Sequence, residues 1–188
     1  MDLVEEVVPL AGDEIAVMRP RDSEALVDED AFAADEFLPY WAQLWPSGVA
    51  LARAVGRRVL KGARVLEVGC GLGLPSIAAA RAGGRVLATD WSQAAIDLLR
   101  ENAARNDAAL ETAVVSWTAP APLLARAPFD LVLAADVLYE RRSVAVLADL
   151  LPRLGGEVLL ADPGRPPLEA FLARTGTVWA RPPLYRLR

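Results

Sequence analysis

The sequence predicts an α/β fold, a single doubly wound domain with a mostly parallel seven-stranded sheet, an antiparallel C-terminal strand and an N-terminal extension. Three observations predict it. From Arg64 onward the apolar spacing switches regularly between strand-like and helix-like periods. Val86-Leu87-Ala88 and Leu131-Val132-Leu133-Ala134 are apolar on both faces, as a parallel sheet covered by helices on both sides requires. Finally, Val65 to Ala80, VLEVGCGLGLPSIAAA, runs from a strand through Gly69, Gly71 and Gly73 into a helix.

The elements follow in order. Val4 to Arg19 holds two apolar segments around Ala11-Gly12-Asp13, the pattern of a hairpin. An acidic stretch, Asp28 to Glu36, leads into the aromatic cluster Tyr40-Trp41-Ala42-Gln43-Leu44-Trp45-Pro46-Ser47-Gly48, and an amphipathic helix is expected over 49–59. The chain accordingly divides into an N-terminal hairpin and aromatic extension, 1–48, packed on a ligand-binding domain, 49–188. Strands at 64–68, 85–89, 112–116, 129–134 and 157–161 are interleaved with helices at 74–82, 92–105 and 140–153. The proline-rich piece Ala119 to Pro122 reads as a loop. After Asp162 come a short helix at 168–174 and strands at 177–180 and 184–187 around Pro182-Pro183; a hairpin there adds antiparallel character to the edge.

Composition narrows the chemistry. The chain has 188 residues, no histidine and one cysteine, so zinc hydrolases and serine or cysteine triads are poor candidates, and no metal site is expected. A net charge of -5 argues against attraction to a nucleic acid backbone. Apolar runs such as Leu131 to Ala135 are too short to cross a bilayer, and the acidic start is unlike a secretory signal. A cytoplasmic protein without membrane or nucleic acid partners is expected.

A sheet of this kind binds ligands at the carboxyl ends of its strands, where strand order reverses. Glu67, Gly69, Cys70, Gly71 and Gly73 fall there, in a turn bare enough for backbone to lie against a nucleoside. Asp90 ends the second strand, the usual place of a carboxylate that receives ribose hydroxyls; the competing reading is a cap for the helix beginning at Ser92. The glycines run GxGxG rather than GxxG, and Glu67 at the strand end would oppose a pyrophosphate but receive an ammonium. Both favour an amino acid nucleoside over a dinucleotide. Trp91 and Trp117, at adjacent strand ends, are either adenine contacts or ordinary cover tryptophans. Cys70 is simply small.

These segments resemble the class I S-adenosylmethionine-dependent methyltransferases, particularly the branch called methyltransferase family 16, over Leu38 to Arg165. YWAQLWPSGVALA is similar to that branch's aromatic entry, VLEVGCGLG to its first motif, ATDWS to its ribose acid and DVLY, Asp136 to Tyr139, to its Asp/Glu-x-x-Tyr/Phe signature. With the late Asp162-Pro163-Gly164-Arg165, the pattern is most similar to lysine methyltransferases of the electron-transfer flavoprotein beta subunit and their bacterial relatives. The resemblance implies a Rossmann-like fold and S-adenosyl-L-methionine as cofactor, with S-adenosyl-L-homocysteine as its product. Trp45 and Ala135 join the cofactor set, and Asp136 and Tyr139 become the catalytic pair. The family's acid before the third-strand tryptophan is Ser116 here.

The activity so implied is N-methylation, of a protein lysine or, alternatively, of a small nicotinamide-like amine; a non-catalytic nucleoside-binding module and a dehydrogenase are competing readings. Transfer from a sulfonium needs no enzymic nucleophile, only alignment and a deprotonated amine. Asp136 would accept hydrogen bonds from the amine and Tyr139 would form an aromatic wall, unless they merely cap and pack a helix. Tyr40, Trp41 and Trp45 close the pocket, with one of the three expected to act as a staple. Arg165 either meets an acidic partner or stays solvated.

Overall fold

The computed structural model describes residues 1–10, 12–23, 26 and 39–187; the acidic stretch Asp28 to Glu36 lies outside them. β1 (Leu3–Leu10) and β2 (Asp13–Pro20) pair antiparallel from Leu3 opposite Pro20 to Leu10 opposite Asp13. Seven strands form the main sheet: β3 (Arg64–Val68), β4 (Arg85–Asp90), β5 (Glu111–Val114), β6 (Phe129–Ala135), β7 (Gly155–Ala161), β8 (Thr177–Arg181) and β9 (Leu184–Leu187). Their order is β5-β4-β3-β6-β7-β9-β8, and the first five are parallel while β9 runs antiparallel to both β7 and β8. Strand order therefore reverses beside β3. A crevice opens there, above the carboxyl ends of β3 and β6.

Both faces of the sheet are covered, and the pleat decides which residue goes where. Leu66, Val68, Val132 and Leu160 meet Leu147 and Leu151 of α5 (Arg141–Leu154) and Phe171 of α6 (Pro167–Thr175). Val65, Leu131, Leu133 and Leu159 meet Leu51 and Val55 of α1 (Pro46–Val55) and Ala79 of α2 (Leu74–Arg81). This is why those strands read as continuous apolar runs. Truncating a fully buried residue such as Leu133 to alanine would cost about 2–5 kcal/mol.

The hairpin is fastened to α3 (Gln93–Arg105) by more than its buried Val8, Ile15 and Val17. Asn102 accepts the Met18 amide at 2.8 Å and donates to the Met18 carbonyl at 3.1 Å; Asn106 treats Ala16 the same way at 3.0 and 2.7 Å. Two asparagines one helical turn apart thus stand in for a missing third strand and satisfy the edge of β2. Asn102 also donates to the Leu72 carbonyl at 3.1 Å, tying the glycine turn to the same frame.

Some boundaries differ from the sequence reading for local reasons. α1 begins at Pro46, because proline suits the first turn of a helix, and it ends at Val55, leaving Val59 exposed. β5 ends at Val114, so Ser116 and Trp117 belong to the loop beyond it. The proline-rich loop instead contains a one-turn helix, α4 (Ala121–Leu124), with Pro122 in its first turn. No helix among the described residues is long and apolar enough to cross a membrane.

Candidate active site

The crevice holds a cavity of about 300 Å³, and every site residue named from the sequence lines it: Trp45, Glu67, Gly69, Cys70, Gly71, Gly73, Asp90, Trp91, Trp117, Ala135, Asp136 and Tyr139. They fall into two halves. On the β3–β4 side, Gly73 takes φ 83° at the start of α2, where a Cβ would lie 1.7 Å from Leu99 Cδ1. Only a bare residue lets α2 press that closely on α3. Gly71, at φ 48°, lies against the Trp41 carbonyl and donates its amide to Asp90 Oδ2 at 3.0 Å.

Asp90 does not cap α3. Ser92 does, accepting the Ala95 amide at 3.3 Å, while Asp90 Oδ1 accepts the Ser92 amide at 3.0 Å. The carboxylate therefore braces the turn and still borders the cavity with lone pairs to spare. Burial raises its pKa, against the amides of Ser92, Gly71 and Trp91.

Glu67 is almost fully buried, and burial pushes its pKa up to about 8; the Ser76 hydroxyl and amide pull it down and the Asp90 charge pushes it further up. The Ser76 hydroxyl donates to Glu67 Oε2. Ser76 was not foreseen. Its one signal is a polar residue inside the otherwise apolar stretch LPSIAAA, a position that turns out to be fully buried. Cys70 is buried as well, and burial pushes its thiol well above the ordinary value, with Asp90 and Glu67 adding to the rise. It is no nucleophile. Trp117 lies against the Gly69 backbone, and Trp91 is 40% exposed at the rim.

The other half belongs to β6, β7 and the aromatic entry. Asp136 follows Ala135 at φ 58°, a left-handed conformation that costs a non-glycine residue about 1 kcal/mol or more. Its amide still donates to the Ala161 carbonyl at 2.9 Å. Asp136 caps nothing, since the residue before α5 is Glu140. Its carboxylate accepts Arg165 Nη1 through Oδ1 at 2.6 Å, while the buried Oδ2 has no hydrogen-bond partner among the described residues. Burial raises the Asp136 pKa; the Arg165 bond and charge and, more weakly, the Ser47 hydroxyl lower it, and Asp162 raises it.

Arg165 is therefore neither solvated nor free for a partner. It also pairs with the fully buried Asp162 at 3.2 Å and lies 5.6 Å from the Trp45 ring centroid. A single 3-10 turn, Tyr40–Ala42, brings the aromatic entry across the opening. Tyr40 stands 4.8 Å from Tyr139 and 6.3 Å from Trp45, whose indole Nε1 donates to the Tyr40 carbonyl at 2.8 Å. Trp117 completes the wall, 6.5 Å from Tyr139. Burial, with Glu140 and Asp90, pushes the Tyr139 phenol up to about 12, so it remains neutral. Trp41 is the staple of the three aromatics, packing with the hairpin cluster.

Comparison with known proteins agrees with this geometry. Residues 40–160 match a family model described as lysine methyltransferase. The electron transfer flavoprotein beta subunit lysine methyltransferase of Xenopus laevis is 34% identical over 139 residues, 68% of this chain and 53% of that protein. The human histone-arginine methyltransferase METTL23 is 35% identical over 107 residues, 52% of this chain and 54% of that protein. The chain thus spans about half the length of these curated relatives. Among solved structures, a T. thermophilus 16S rRNA methyltransferase in complex with AdoMet and guanosine shares the fold, with a TM-score of 0.66 at 18% identity over 98% of this chain and 49% of that one. Glycine turn, aromatic entry and the Asp136 to Tyr139 segment all lie inside the matched span, and the chain belongs to the lysine methyltransferase family.

Proposed function

We propose that this chain transfers a methyl group from S-adenosylmethionine to the side-chain amine of a protein lysine. The observation that carries the reading is one cavity with two unlike walls: a bare glycine turn braced by Asp90, and a wall that Asp136, with one carboxylate oxygen unpaired among the described residues, shares with Tyr40 and Tyr139.

The residues fit the cofactor. Gly71 and Gly73, packed against Trp41 and Leu99 where a Cβ would collide, let the bare turn border the cavity; Asp90 would receive ribose hydroxyls and Glu67 the ammonium of the methionine end. Trp91 and Trp117 offer ring faces to the adenine. Ser116 contributes nothing there, because its hydroxyl is engaged with Thr118 at 2.9 Å. Cys70 and Ala135 add small walls. Residues 49–188 would then carry the cradle and 1–48 its aromatic cover.

When bound, the cofactor supplies a methyl group already activated by the sulfonium. The chain's own part is alignment and proton handling. Tyr40, Trp45 and Tyr139 would hold a cationic amine against their faces and exclude water, and desolvation there lowers the amine pKa. Asp136 would take a hydrogen bond from that ammonium and accept the proton it must lose before its lone pair can attack the methyl carbon. Positioning of this kind is worth on the order of 7–11 kcal/mol.

Charge separates the acceptors. Asp136 and Asp162 are countered by Arg165 alone in their hydrogen-bonded cluster, which leaves one negative charge for an incoming cation. A lysine ammonium supplies it; a neutral heterocycle does not. The printed activity of the Xenopus relative supports a protein lysine. A cytoplasmic setting belongs to the same reading.

Incubation with tritiated S-adenosylmethionine and a host lysate, followed by hydrolysis of the labelled protein, tests this. Label in methyl-lysine is expected. Label confined to small molecules would move the reading to a small amine, label in methyl-arginine would replace the acceptor, and absence of label would leave a nucleoside-binding module.

A further inference from the structure

We propose that Arg165 is the positioning residue of the acceptor wall: it locks Asp136 by one oxygen and leaves the other, Oδ2, unpaired for an ammonium that enters the wall. The inference rests on the lysine-methylating reading above. Its geometry does not.

A second arginine–carboxylate pair that also bridges distant parts of the chain makes an informative contrast. At the opposite end of the sheet Arg58 grips Glu157 with both nitrogens, at 2.9 and 3.0 Å, and both carboxylate oxygens are used. That is how a pair closes on itself. Arg165 reaches only Asp136 Oδ1, at 2.6 Å, and the second oxygen is left buried and unpartnered although the side chain is just 7% exposed. Leaving a buried carboxylate oxygen unsatisfied is costly, and here the cost falls on a residue already at φ 58°. An ammonium seated at Oδ2 removes it.

Arg165 is itself held rigidly enough for the task. Asp162, fully buried at the end of β7, uses Oδ1 to accept the amides of Gly164 and Arg165, both at 2.8 Å, and Oδ2 to hold the guanidinium at 3.2 Å. The Trp45 ring covers the guanidinium from the other side. One carboxylate thus builds the loop and anchors the cation, and the cation aims the second carboxylate.

Charge state follows from the same lock. The groups that act on Asp136 are Arg165 and Asp162 from the β7–α6 loop and the Ser47 hydroxyl of α1, and Tyr139, Glu67 and Asp90 line the same cavity. Burial favours the protonated acid and Arg165 opposes it. Without Arg165, Asp136 keeps its proton to higher pH and presents a neutral acid to an ammonium.

The experiment uses wild type, R165K and R165M. Carboxyl carbon-13 NMR reads the Asp136 titration, and n-butylammonium, the lysine head group, is titrated into protein loaded with S-adenosylhomocysteine. R165M is expected to move the Asp136 midpoint up by about one to three pH units. It should weaken n-butylammonium at neutral pH by roughly tenfold or more, with S-adenosylhomocysteine affinity held within about twofold. R165K restores most of the midpoint, since it restores the charge. Should R165M fold poorly, R165Q gives the same shift. A lower melting temperature with an unmoved midpoint means a structural role and overturns the proposal. If the midpoint moves as expected but wild type binds no n-butylammonium while binding S-adenosylhomocysteine, the lysine reading fails and the Arg165–Asp136 lock stands.

Discussion

Across the cavity, Gly71 reaches Asp90 with its backbone amide, 19 positions away in the chain, whereas Asp136 is met by a guanidinium 29 positions on, and the rings beside it come from Tyr40 and Trp45 at the other end of the sequence. The donor wall is built mainly from main chain and small residues of the β3–turn–α2 unit, braced by Asp90 at the end of the neighbouring β4. The acceptor wall is built from long side chains on four separate pieces of chain. A wall of backbone has few ways to change without unfolding; a wall of side chains can be rebuilt piece by piece.

The sharpest way to break that comparison is Asp136→Ala. It should cut methyl transfer by about 10²–10⁴-fold, the range of a lost proton acceptor, while calorimetric affinity for S-adenosylhomocysteine stays close to wild type. A transfer rate near wild type would take Asp136 out of the chemistry. Gly73→Ala attacks the other wall. Its new Cβ would meet Leu99 at 1.7 Å in a left-handed backbone, so a loss of about 2–4 kcal/mol is expected in denaturant unfolding, together with the cofactor site. Unchanged stability would mean that α2 can slide away from α3.

Asp90→Ala is milder, because the turn keeps its other bonds. S-adenosylhomocysteine should bind about 1.5–3 kcal/mol more weakly, with turnover at saturating cofactor preserved. Equal affinity would remove Asp90 from ribose binding.

The smallest effect is a pH dependence. Free Glu67 holds its proton up to about pH 8 rather than the ordinary 4.5, because burial penalises the charge. An ammonium placed against it draws that proton off, so binding releases a proton and tightens as pH rises toward about 8. The same raised pKa makes Glu67's contribution to folding stability greatest below its ordinary value and progressively lost toward pH 8. Calorimetry in two buffers of different ionisation enthalpy should detect the release, and Glu67→Gln should abolish it. Binding without proton exchange would mean that Glu67 does not receive the ammonium.

The donor wall was legible in the sequence because its determinants are local. Alternating glycines after an apolar strand and an acid at the end of the next strand each report on neighbours within a few residues. Even there Ser76 escaped notice, since only its burial against Glu67 gives that hydroxyl a purpose. The aromatic entry was legible as a motif, but not that a single turn at Tyr40–Ala42 would set Tyr40 beside Tyr139. Arg165 was misread altogether. In sequence it is an arginine in a proline-rich loop, equally suited to solvent or to a partner.

By itself the sequence determined the alternation of strands and helices, the two-sided burial of the central strands and the identity of the cofactor cradle. Those follow from periodicity and backbone freedom, which act over short distances along the chain. Tertiary structure decided that Asn102 and Asn106 replace a strand at the hairpin edge, that Asp90 braces the turn while Ser92 caps the helix, and that Arg165 holds one oxygen of Asp136 and leaves the other unpaired among the described residues. These depend on which side chains meet across the fold and on how little water reaches them. Pairing and burial of that kind exist only once the sheet has brought distant segments together.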